Sequence, residues 1–209
     1  MLKFLSSRLR RRTSVLVLGA AAALVLTTAA SGLHVDNMFK TANYNPDCRD
    51  GTIGDPFCQT DNDFLTVYRQ SSLTATGRAH IATTLNNEYA PTDLRISFVS
   101  TPSYSGSAET DIIYQQRDNL PGTADGFAWC NDAVTSLKCD QHYNAFESAT
   151  PSVSLACHET GHAVGLTHGQ QASPQLGNGD NSLGCMTTPV ETSDLGAHNT
   201  NMINATYPN

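Results

Sequence analysis

At 209 residues, with 12 basic and 19 acidic side chains, the chain is long enough for one folded domain and carries a formal net charge of −7. Five basic residues (Lys3, Arg8, Arg10, Arg11 and Arg12) and no acidic one precede Ser31, so the remainder holds seven basic against 19 acidic side chains, a net of −12. Such a body has no basic face for a phosphate backbone and is repelled by anionic lipid. That argues against nucleic acid and against stable membrane association, and leaves solubility outside the cell as the plain meaning of the charge.

In chain order, the first basic cluster is followed by the apolar run Val15–Leu26 and by the small residues Thr28, Ala29, Ala30, Ser31 and Gly32. This order predicts a signal peptide over 1–30, cleaved near Ala30, because the apolar run falls well short of the ~20 residues that span a bilayer. Arg11-Arg12 is a twin-arginine pair, but Thr13 and Ser14 stand where hydrophobic residues belong. Residues 31–62 are rich in Asn, Asp, Gly and Pro and read as an irregular N-terminal extension, with a catalytic domain over 63–209. Six cysteines, all after residue 30, favour disulfides in an exported chain, although they allow 15 connectivities. Proximity suggests Cys48–Cys58 and Cys130–Cys139, leaving Cys157–Cys185. No CxxC pair supports a zinc ribbon.

The predicted elements begin with a strand at Phe64–Tyr68. A helix runs from about Leu73 to Tyr89 on the four-residue recurrence of Ile81, Leu85 and Tyr89, stopped by Pro91. Strands follow at 94–99 and 111–114, then two more at Gly126–Cys130 and Cys139–Tyr143. A helix covers 152–164, and a last one, capped by Ser193 or Asp194, passes through Leu195, Met202, Ile203 and Tyr207. Strand, helix, strands, helix, irregular segment, helix is the order of an α+β domain whose sheet packs on two helices.

The chemistry lies in Cys157-His-Glu-Thr-Gly-His-Ala-Val-Gly-Leu-Thr-His168. His158 and His162, four apart, project from one helix face and can share an ion. Glu159 stands beside the first ligand, where it can serve as general base without becoming a ligand. Gly165, without a Cβ, can take φ > 0 and turn the chain so that His168 supplies a third nitrogen. Three histidines leave one coordination position free, the arrangement of one catalytic zinc. Five fixed positions in eleven residues coincide by chance about once in ten million starting points.

These residues, with Gly184-Cys-Met186-Thr-Thr-Pro189 downstream, resemble the HExxHxxGxxH signature and methionine turn of the metzincins, and among them the small matrixin-like secreted proteases of bacteria. The resemblance implies a twisted, mostly parallel sheet with an antiparallel edge strand, and a small irregular C-terminal subdomain holding the turn and a terminal helix. It implies Met186 as an apolar floor beneath the histidines. It also implies a cleft in which an extended peptide lies antiparallel to Gly126-Phe127-Ala128-Trp129-Cys130, with a specificity pocket against Pro189-Val190-Glu191-Thr192. The chain departs from the matrixin pattern in lacking a PRCGxPD-like segment, so no cysteine-switch latency is expected. Thr188 stands where astacins and serralysins carry tyrosine, and His168 where snapalysin-type enzymes carry aspartate. Gly177–Ser182 offers oxygen ligands to calcium, although a surface loop is the plainer reading. A Cys157–Cys185 bridge would pin the zinc helix to the turn below it.

The expected protein is therefore a secreted, extracellular, monomeric zinc metalloendopeptidase acting on extended polypeptides. The competing reading is a secreted zinc-binding or interaction protein on the same scaffold, for which Glu159 would have no use. A cell-wall amidase would call for a wall-binding module or a basic surface, and neither is visible.

Overall fold

A computed structural model of the chain describes residues 35–106 and 108–208. The signal peptide expected over 1–30 lies outside the described residues. The elements are β1 (Gln59–Thr60), β2 (Phe64–Arg69), α1 (Ala75–Thr84), β3 (Arg95–Phe98), β4 (Ile112–Gln116), β5 (Gly126–Ala133), β6 (Lys138–Phe146), α2 (Val153–Ala163) and α3 (Gly196–Thr206).

The sheet is mostly parallel, in the order β1-β6-β4-β2-β3, and β5 runs antiparallel along β6. Leu65 and Val67 of β2, Ile112 and Tyr114 of β4, and Phe146 of β6 are buried on the face that receives the helices. Alternation along a strand puts these residues on one side. Tyr114 and Phe146 stack at 6.2 Å. Trp129, Ala145 and Leu120 form a separate cluster.

Thr74 caps α1 by accepting the Gly77 N–H at 3.0 Å. Residues spaced by four drift round a 3.6-residue helix, yet Ile81, Leu85 and Tyr89 are all fully buried. The wider π turn at Leu85–Tyr89 absorbs the drift. α2 starts at its Ser152 cap, which accepts the Leu155 N–H. The last helix opens differently from expectation: Leu195 takes the cap position without a side-chain bond, and Asp194 instead accepts the Gly196 N–H at 2.8 Å.

Over its described residues the N-terminal segment is built into the same compact unit as the rest of the domain. Asp36 and Met38 form antiparallel bridges with Ser173 and Leu166, and β1 joins the sheet beside β6. Phe39 is fully buried with Cys58, Cys130 and Cys139. The three disulfides are Cys48–Cys58, Cys130–Cys139 and Cys157–Cys185. Among the described residues no helix is long and apolar enough to cross a membrane.

Candidate metal centre

α2 carries His158 and Glu159 at its middle and His162 in its last turn. The helix stops at Gly165, whose φ is +95°. The Leu166 N–H bonds the Gly161 carbonyl and the Gly165 N–H bonds that of His162, a closure that a left-handed residue permits. A Cβ at Gly165 would lie 2.9 Å from both Met38 Sδ and Gln59 Cγ, so space as well as torsion requires glycine. The reversed chain brings His168 back to the helix.

The three Nε2 atoms form a near-equilateral triangle: 3.1 Å from His158 to His162, 3.1 Å from His162 to His168 and 3.0 Å from His168 to His158. His158 Nδ1 lies 2.8 Å from the Cys185 carbonyl, and His162 Nδ1 lies 2.8 Å from that of Leu166. A carbonyl can only accept, so these Nδ1 atoms carry the proton and the Nε2 atoms present lone pairs. Burial, followed by mutual repulsion, moves His158 down to about 3 and His162 well down, and burial alone moves His168 to about 4. Lone pairs of neutral imidazoles converging at 3 Å repel unless they share a cation. Tetrahedral nitrogens 2.0–2.1 Å from zinc stand about 3.3 Å apart, close to this triangle, so the donor set fits one zinc ion.

Glu159 is buried, and its Oε2 has no hydrogen-bond partner among the described residues. Burial pushes its carboxyl up to about 8; a cation at the histidines would draw it back down. It lies against Gly126, where an added Cβ would come within 2.6 Å of Oε1.

Below the helix, Met186 is fully buried and packs under Gly161, where a Cβ would lie 2.2 Å from its Sδ. Gly184 takes φ +52°, and the Cys185 N–H bonds the Asp194 carbonyl at 2.7 Å. Tyr89 Oη donates to the Cys157 carbonyl at 2.6 Å from the other side.

The centre opens into a cleft of about 980 Å³. Gly126, Phe127, Ala128, Pro189 and Val190 line it, together with His158, Glu159, His162 and His168. Trp129 does not: it is 4 % exposed, its ring stacks on Tyr143 at 5.4 Å, and it packs with Leu120 and Ala145. Asp55, Asp125 and Glu147 also line the cleft, and among the described residues no lysine or arginine does. Tyr44 and Phe57 belong to it as well, the Phe57 ring 4.4 Å from that of His162. Sequence reading missed these two, since nothing local ties residue 57 to residue 162.

The other described histidines stay apart from the trio. His80 Nδ1 is 2.8 Å from the Pro151 carbonyl, His142 Nε2 faces the Phe57 carbonyl, and His198 meets Asn37 Oδ1 at 3.0 Å. In the loop weighed for calcium, the Asp180 carboxylate accepts the Ser182 N–H and hydroxyl, capping the 3-10 turn that begins at Asn181.

No family model and no curated protein matches the sequence. Among solved structures, a crystal structure of myroilysin is 15% identical with a TM-score of 0.44, over 79% of this chain and 92% of that one. A second myroilysin structure is 14% identical at the same TM-score, over 73% and 96%. High choriolytic enzyme 1, a hatching enzyme zinc-protease from Oryzias latipes, is 14% identical with a TM-score of 0.36, over 58% and 56%.

Proposed function

We propose that the chain is a secreted, extracellular zinc metalloendopeptidase of the metzincin type, with His158, His162 and His168 holding one zinc and Glu159 as general base. One observation carries this reading: three Nε2 lone pairs converge at 3.0–3.1 Å in a cleft that Glu159 also lines, its Oε2 without a hydrogen-bond partner among the described residues. A site that only stored metal would have no use for that carboxylate.

When bound, zinc supplies Lewis acidity, making water more acidic and polarising a carbonyl. The chain's own residues do the rest. The outward backbone of β5 pairs with an extended peptide and sets its carbonyl over the histidines. Glu159 accepts the proton of the attacking water and passes it to the departing amine as the C–N bond breaks, so one water is consumed and an acid and an amine are released. Pro189 and Val190 face the side chain that follows the scissile bond. Met186 and the Cys157–Cys185 bridge hold the ligands from beneath.

Purified mature protein is expected to hold one zinc and to hydrolyse casein. Glu159→Ala should retain the metal and lose activity by several orders of magnitude. Casein hydrolysis that survives this substitution, or a folded protein that binds no zinc at micromolar concentration, would overturn the proposal.

A further inference from the structure

The outer edge of β5 is not open along its whole length. The Glu147 N–H bonds the Asp125 carbonyl, which makes 125/147 a hydrogen-bonded antiparallel pair; 127/145 and 129/143 then follow as the next two. The N–H and C=O groups of Gly126, Ala128 and Cys130 therefore point away from β6. At Cys130 both are taken: its N–H donates to the Pro56 carbonyl at 3.0 Å, and its carbonyl accepts the Gly51 N–H at 3.1 Å. One step further, the Ala133 N–H donates to Asp50 Oδ1 at 2.7 Å. These partners belong to the loop closed by Cys48–Cys58, whose Gly54 and Asp55 also line the cleft. At Gly126 and Ala128 the outward groups have no partner among the described residues.

We infer that the loop 49–57 is a stop on the substrate groove that limits how many residues N-terminal to the scissile bond the protein can recognise. The inference rests on the reading above, in which a peptide lies antiparallel to β5 over Glu159. In that direction the N-terminal side of the peptide heads from Gly126, which touches Glu159, towards Cys130. Four residues of strand cover about 13 Å, so the peptide has room for about three residues before it meets the backbone of Gly51 and Pro56. Residues further out must leave the sheet edge and gain no pairing. The loop is held covalently at Cys48–Cys58 and by Arg49–Asp55 at 2.7 Å, and Cys48 N–H bonds the Ser136 carbonyl, so it is fastened in place rather than laid across the edge.

The test is a set of fluorescent peptides with a fixed C-terminal part and one to six residues before the cleaved bond. Cleavage is measured with zinc-loaded wild type, and binding by anisotropy with zinc-loaded Glu159→Ala. Each of the first three residues should raise kcat/KM by roughly 2- to 10-fold, and the fourth to sixth should change it by less than about twofold. Binding should plateau at the same length. In Cys48→Ser/Cys58→Ser, which frees the loop, the gain should continue past the third residue. A wild type that keeps gaining through the sixth residue overturns the stop, whether or not the variant folds. A variant that folds and keeps the plateau also overturns it. Failure of the peptidase reading looks different: cleavage persists without Glu159, or no peptide is cleaved or bound.

Discussion

His158 Nδ1 lies 2.8 Å from the carbonyl of Cys185, and Cys185 is bonded through sulfur to Cys157, the residue just before His158. The bridge and the hydrogen bond thus close one small ring between α2 and the turn beneath it, fixing the tautomer and orientation of the first histidine. Replacing both cysteines by alanine releases a loop of 28-residue separation. It should cost about 3.5 kcal/mol in denaturant unfolding. Zinc affinity, measured by chelator competition, should fall roughly 10- to 100-fold as the carbonyl loses its position.

Gly161→Ala should destabilise, although glycine to alanine in a helix interior ordinarily stabilises by about 1 kcal/mol. The new Cβ would lie 2.2 Å from Met186 Sδ and 3.2 Å from Tyr89 Oη, in a region with no exposed surface to yield into. A net loss of roughly 1–3 kcal/mol is expected from thermal or urea unfolding, and an unchanged or raised stability would show that Met186 is not seated under the helix.

Gly126→Ala acts on chemistry rather than stability. Its Cβ would come within 2.6 Å of Glu159 Oε1, whose side chain can swing aside. A displacement of about 1 Å in the base is expected to lower kcat by on the order of 100-fold while zinc content stays at one. Equal kcat in the two proteins would place the base elsewhere.

His142 makes the fold acid-sensitive. Burial depresses its pKa from 6.5 to about 4, so the unfolded chain binds a proton in that interval that the folded chain refuses. The contribution is complete above pH 6.5 and is lost as pH falls towards 4, a change of about 3 kcal/mol. Asp111, whose backbone carbonyl accepts the His142 N–H, is raised by burial to about 6 and slopes the other way. The difference is therefore the clean readout: between pH 6.5 and 4, wild type should lose about 3 kcal/mol relative to His142→Gln. Parallel stability curves would contradict the assignment.

Removal of metal should reverse on adding it back. Chelator treatment is expected to abolish peptide hydrolysis and lower the unfolding midpoint, since a ligand that binds only the folded state stabilises by about 4 kcal/mol at a thousandfold excess over its Kd. Zinc should restore both. His168→Ala, measured alongside, should weaken zinc binding without melting α2, because His168 lies beyond the helix end at Gly165.

Spacing along the chain determined what depends on local geometry. Four-residue intervals put His158 and His162 on one helix face, a glycine three residues beyond His162 sets the turn to His168, and short β-prone runs mark where β2, β4 and β6 lie. Only tertiary structure decided what depends on distant segments meeting. Phe57 reaches His162 from 105 positions away, the loop 49–57 takes the outer backbone of Cys130, and Trp129 turns from the cleft to Tyr143. The cause is physical. Helix faces and strand alternation have fixed periods visible in a few residues, whereas backbone hydrogen bonds across a sheet edge carry no side-chain signature and form only where the folded chain brings an unpaired edge and a loop together.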